Sequence, residues 1–429
     1  MTARNPLRVH GRPFRRSSRA NQDLLALAAA CLLLAGVSFP QTVRAQSQIV
    51  STAPQGPLWI SAGASFAWDD NVFRLPDAAD PQALLGTSTK SDRYVSARVG
   101  LHLDKPYAQQ RFRLDATASG YRYDTFSFLN SNLLQYDGAW DWHATPRVSG
   151  TLSANRNEAL VNYGDYRTPI RNIVRTQNQR FSIDGLLFGG WHLLGGVSRD
   201  ESKNSAIFVQ QASYHATGGD VGLRYVAESG NSATVAARSS RADYIDQPLD
   251  PANLLDDGYR REESELRVQW MLGGKSNLTG RLTRIEYRTN HFAQRDFSGT
   301  GGSLRIQWLP TGKLSLNLSV ARDLGVYVDN FSSYAVSETV ALAPVWHVSA
   351  RTAVRANISR VTSDYRGAVV VLPGPARRDT LDSVQLAVDW VPTRSVTLSA
   401  SVQRDHRASN DAMFEFNDTS AHIDATLTF

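Results

Sequence analysis

Ser420-Ala-His-Ile-Asp-Ala-Thr-Leu-Thr-Phe429 closes the chain. Its residues alternate without a break. Ala421, Ile423, Ala425, Leu427 and Phe429 share one face, and Ser420, His422, Asp424, Thr426 and Thr428 share the other. A period of two belongs to an extended strand with one apolar and one polar side. Such a strand suits a wall between lipid and water, which is the condition of an outer-membrane β-barrel. The terminal Phe429 is expected to be the signal that the barrel assembly machinery reads.

The other end of the chain agrees. Arg4, Arg8, Arg12, Arg15, Arg16 and Arg19 precede the apolar run Leu24 to Val37, and Val43-Arg44-Ala45 offers a small-residue cleavage site. Residues 1–45 therefore read as a signal peptide, with a run too short for a membrane helix. The full chain carries a formal charge of +6. Removing the seven Arg and one Asp of the signal leaves thirty-nine basic and thirty-nine acidic residues. The basic balance thus belongs to export and gives no argument for nucleic-acid binding. The one cysteine, Cys31, goes with the signal, which excludes disulfides and thiolate chemistry from the mature chain.

Residues 46–57 read as a periplasmic linker and 58–429 as the barrel. No apolar run approaches 18 residues in the latter, so no membrane helix is expected. About ten alternating residues recur instead, as in Ser315 to Val320 and Ser383 to Trp390. Tight breaks alternate with longer polar ones. The tight set is Asp104-Lys105-Pro106, Thr145-Pro146-Arg147, Gly189-Gly190, Glu228 to Asn231, Gly273-Gly274-Lys275, Pro310 to Lys313, Ala343-Pro344 and Pro392-Thr393-Arg394. The longer set is 70–92, 124–131, 161–173, 201–210, 245–258, 291–295, 329–331, 365–378 and 408–413. Together they predict about 18 strands in an all-β, antiparallel up-and-down barrel. Short turns and both termini are expected in the periplasm. Trp59, Trp140, Trp142, Trp191, Trp270, Trp308, Trp346 and Trp390 fall at turn-side strand ends, while most Tyr fall at the loop side; two aromatic girdles are expected.

Residues out of phase with the apolar face should line the lumen. Candidates are Arg98, Arg113, Arg267, Arg305, Arg351 and Arg355, among ten inward Arg and eight inward Asp or Glu on this assignment. One reading is a basic path for an anion or acidic polymer, since a guanidinium matches carboxylates and phosphates. The other is Arg–Asp pairing that holds a polar interior together. No G-x-S-x-G or H-E-x-x-H is present. Catalytic, metal-binding and cofactor-binding residues are therefore not assigned, although Ser and His on adjacent strands could still meet, and His422 faces inward. Asp69-Asp70-Asn71 reads as a turn cap rather than a calcium loop.

The segment Phe66-Ala-Trp-Asp-Asp-Asn-Val-Phe-Arg-Leu-Pro-Asp77 resembles the opening of the exopolysaccharide-operon outer-membrane proteins called EpsL, which accompany exosortase/PEP-CTERM loci. Arg111 to Tyr123 and Leu134 to Trp142 are similar too, and the resemblance runs over most of 58–429. It implies a role in exopolysaccharide biosynthesis or export, as conduit or accessory, with other export components as partners; that the polymer is an acidic polysaccharide is the reading of the inward arginines. It carries over no site residues. A small-solute diffusion porin is the first alternative, and a barrel enzyme acting on lipid or polysaccharide the second.

Overall fold

The computed structural model describes residues 56–165, 169–206, 213–245, 247–327, 332–369 and 374–429. The signal peptide and all but the last two residues of the linker lie outside them. The strands are β1 (Leu58–Asp69), β2 (Asp92–Tyr107), β3 (Gln110–Tyr123), β4 (Ser131–Thr145), β5 (Val148–Leu160) and β6 (Ile173–Phe188). Then follow β7 (Trp191–Asn204), β8 (Tyr214–Val226), β9 (Ser232–Tyr244), β10 (Gly258–Met271), β11 (Ser276–Thr289) and β12 (Phe297–Thr311). The last are β13 (Leu314–Val326), β14 (Tyr334–Ser349), β15 (Thr352–Arg366), β16 (Arg378–Thr393), β17 (Val396–Ser409) and β18 (Phe416–Thr428).

These 18 strands form one sheet in which each strand pairs antiparallel with its sequence neighbours, and β1 pairs with both β2 and β18. The sheet is closed and has no free edge, which an isolated strand pair in lipid could not achieve. At the seam the ladder runs from Ser61↔Thr428 to Asp69↔Ser420. Phe429 extends it, exchanging backbone bonds with Ile60 at 2.9 and 3.2 Å.

Alternation fixes what faces out. Leu266, Leu282, Val384, Leu386, Val402 and Ile423 are all exposed large apolar residues. Their outward phase defines a belt around the barrel, and the closed wall with that belt is an outer-membrane β-barrel. Trp140, Trp191, Trp270, Trp308, Trp346 and Trp390 are exposed in the same phase at the turn end, which forms one girdle, whereas Trp59 falls in the inward phase of β1 and stacks on His102 at 5.3 Å. The second girdle differs. Tyr244, Tyr259, Tyr287 and Tyr365 at the loop end are buried, in phase with the inner face. An inward phenol at a strand end is packed by its neighbours instead of meeting the membrane interface.

Two turns also sit elsewhere than the residues suggest. Asp104-Lys105-Pro106 lies within β2, with the turn at Ala108–Gln109. Ala343-Pro344 lies within β14. A proline has no N–H to give to a ladder, and the pairing with β15 skips there from Leu342↔Ile358 to Val345↔Arg355. The strand tolerates the gap, and its turn comes at residues 350–351.

Candidate functional site: the lumen

Inward side chains are held by the register of their strands. Arg98 on β2 forms bonds of 2.6 and 2.7 Å with both oxygens of Asp424 on β18, and a further 2.6 Å bond with Thr426 Oγ1. Strand β1 lies between the two, and the position crossed is Gly63, where an added Cβ would stand 2.9 Å from the guanidinium. The device recurs farther round the wall. Arg180 on β6 crosses Gly196 on β7 to reach Asp220 on β8 at 2.7 Å.

The remaining candidates divide. Arg113 pairs with Asp141, Arg267 with Glu265, and Arg355 with the buried Asp389, all within 3.0 Å. Arg305 is exposed on the inner phase of β12 and has no carboxylate partner among the described residues. Arg351 is not in a strand. It lies in the β14–β15 turn and donates to Pro392 O at 3.2 Å.

The inner phase carries a different balance from the one the sequence suggests. Strand positions facing the lumen hold twelve Arg and seventeen Asp or Glu. Asp69, Asp92, Asp200, Glu263, Asp323 and Asp405 are among the inward acids not counted from the sequence; Asp69, Asp92 and Asp323 lie at or near strand ends, whereas Glu263 and Asp405 sit within unbroken ladders. Among the described strand positions the interior is therefore acid-rich, which weighs against the basic path and towards the paired interior, the two readings of these arginines.

Loops narrow the mouth. The segment between β5 and β6 crosses to β17, where Arg407 Nη1 donates to Gly164 O at 2.8 Å and Asp165 Oδ1 at 2.9 Å. Five strands separate β5 from β17 around the closed wall, so this contact spans a chord of the barrel. Tyr163 of the same loop packs on Phe73 of the first loop, with centroids 4.8 Å apart. Phe126 and Leu129 of the second loop join them in one buried cluster. Asp379 lies beneath, bound by Arg377 and Ser409.

On the other side, pairing of β12 with β13 ends at Gly302↔Arg322. Beyond it Leu324, Val326 and Val336 pack on Tyr259, Tyr287 and Phe297. A wall cavity of about 410 Å³ remains between this cluster and Arg180.

Towards the turn end, Ser61 Oγ and His102 Nε2 are 2.9 Å apart, and His102 Nδ1 meets Asp115 Oδ1 at 2.7 Å. The sequence singled out His422 instead; its ring lies 6.2 Å from that of Tyr94. Nothing local in the sequence marks the Ser–His–Asp chain, since its members come from three strands. The capping reading of the first loop is seen directly: Asp69 Oδ1 accepts from Asn71 N, Asp70 Oδ1 accepts from Thr419 N, and Arg74 lies 2.9 Å from both Asp69 and Asp418.

The fold and its lumen define the class: an 18-strand outer-membrane β-barrel with a narrowed, charged interior. No family model matches the chain, and no curated protein matches it. Among solved structures it is similar to OccAB3 of Acinetobacter baumannii (10% identity, 87% of this chain and 99% of that one, TM-score 0.46). A BenF-like porin from Pseudomonas fluorescens Pf-5 is also similar (10%, 87% and 99%, 0.49). So is OccK9 (OpdG) of Pseudomonas aeruginosa (13%, 87% and 98%, 0.49). At such identities and TM-scores the likeness transfers no solute to this chain. None of these comparisons bears on the exopolysaccharide-operon resemblance.

Proposed function

We propose that the barrel is a diffusion channel for small hydrophilic solutes that favours cations, with its short turns and both termini in the periplasm. The carrying observation is the inner surface, seventeen carboxylates against twelve guanidiniums. Rings of acidic side chains select cations in pores. An acidic polymer would meet net repulsion and a loop fixed across the mouth. The export role implied by the resemblance therefore enters this reading only as an accessory one. The segment Phe66 to Asp77 that carries the resemblance is occupied in capping and loop packing, through Asn71, Phe73 and Arg74. Conductance of the purified protein in planar bilayers under a KCl gradient tests the proposal.

A second reading has its own observation. Ser61, His102 and Asp115 have the order of a nucleophile, a base and an orienting acid, within hydrogen-bond reach. Both Ser61 and Gly100 beside it lie inside strand ladders. Backbone donors for an oxyanion are thereby committed to the wall, which favours a structural task over hydrolysis. Labelling by a fluorophosphonate that is lost in Ser61→Ala would support the enzyme reading, and no labelling would remove it.

A further inference from the structure

The outer wall sorts charge in the opposite sense from the inner one. Between the apolar belt and the loop ends, outward strand positions hold fifteen Lys and Arg against eight Asp and Glu. The surplus of seven sits in a chain whose mature charge is close to zero. Most of the acids in this collar are already matched. Arg260 holds Glu262 at 3.0 Å, Arg288 holds Glu286 at 3.1 Å, Arg360 holds Asp382 at 2.6 Å, and Arg322 holds Glu338. Arg284 is different. It donates to Ser298 Oγ at 2.9 Å and meets no carboxylate among the described residues.

Arg284 also stands at the top of a groove. Gly219, Val221, Ala237, Ser239 and Ser264 line a recess of about 530 Å³ in the outer wall, with Arg284, Glu262 and Glu286 at its edge, the two carboxylates held by Arg260 and Arg288. Small residues on three neighbouring strands create it: the ladder sets Ser239 opposite Gly219, and Ala237 opposite both Val221 and Ser264. The next outward residue below Arg284 is Leu282, 54% exposed in the belt. The recess thus continues the lipid-facing surface and ends at Arg284, whose neighbouring carboxylates Glu262 and Glu286 are each taken by another arginine.

We propose that this groove binds a phosphorylated lipid of the leaflet at the loop end, with an acyl chain over Gly219, Val221 and Ala237 and the headgroup phosphate on Arg284. A guanidinium offers a phosphate two parallel donors, and Ser264, opposite Arg284 in the ladder, and Ser298, which Arg284 touches, add hydroxyls. The collar's surplus charge draws anionic headgroups to that level of the wall. The headgroup is taken to be a lipid's and not a free phosphate ion because the recess beneath it is apolar and open to the belt. The proposal rests on the outward phase and belt, and it stands or falls independently of what the lumen conducts.

The test is native mass spectrometry of the detergent-solubilised barrel with bis-phosphorylated lipid A. Dephosphorylated lipid A and inorganic phosphate serve as separate arms. The unaltered barrel is expected to retain the bis-phosphorylated lipid, and Arg284→Gln to retain it about tenfold more weakly, the effect of one charge-assisted contact. Ala237→Trp, which fills the groove without touching charge, should weaken it as well. Heat-modifiable migration of both variants confirms that they are folded. Equal retention by Arg284→Gln, equal retention of the dephosphorylated lipid, or displacement by low millimolar phosphate would each overturn the proposal.

Discussion

Arg98 and Asp424 join β2 to β18 across the intervening β1, and Gly63 is the position that lets them meet. The pair lies beside the seam where first and last strands close. It therefore ties the step that completes the barrel to a side-chain contact as well as to the backbone ladder.

Gly63→Ala should break this contact. The added Cβ would stand 2.9 Å from the guanidinium, leaving Asp424 and Arg98 imperfectly paired. Loss of a charged hydrogen bond of this kind costs about 1–3 kcal/mol. Urea unfolding from lipid vesicles should show it, with Gly280→Ala as control, because that Cβ meets nothing nearer than 4.0 Å.

Adjacent residues on β13 should respond oppositely to the same substitution. Leu318 is exposed in the outward phase and Ser319 points inward. Leu318→Arg is expected to cost roughly 2–4 kcal/mol of folding stability in bilayers, the price near the midplane, and Ser319→Arg much less. Refolding titrations of the two variants would compare them; equal costs would show the register to be wrong.

The loop fixed to Arg407 should behave as one unit. Arg407→Gln and Asp165→Asn are each expected to raise single-channel conductance by freeing the segment around Gly164. The double variant should add little, since both remove the same contact. Additive effects in bilayer recordings would mean that the two residues act separately.

The loop histidine gives a pH dependence. The hydrogen bond with Asp256 is the main cause that raises the His291 pKa above its ordinary value. The stabilisation is therefore fully present below the unfolded pKa, about 6.5, and is lost as pH rises through the higher folded value. The difference in thermal midpoint between the unaltered protein and His291→Gln should be largest near pH 6 and shrink above neutrality. A difference that grows with pH would contradict the sign.

Alternation made the barrel legible because lipid and water impose a period of two on every strand, and the terminal Phe429 and six outward Trp mark its ends. Phase alone also placed Arg98, Arg113, Arg267 and Arg355 on one face. What phase could not show was company. Asp69, Asp200 and Asp323 lie near strand ends or shifts of register, so the acid surplus inside emerged only from the folded wall. Pro344 misled for a physical reason, since a strand can skip two pairs and continue. Contacts across the mouth, such as Arg407 with Asp165, join residues that no local pattern connects.

The central claim is the acid-rich lumen, and the reversal potential of the purified channel in planar bilayers under a KCl gradient tests it most directly. Cation preference is expected in the unaltered protein, weakened by neutralising Asp200 and Asp323 together. A barrel that is folded and conducting but prefers anions would contradict the account.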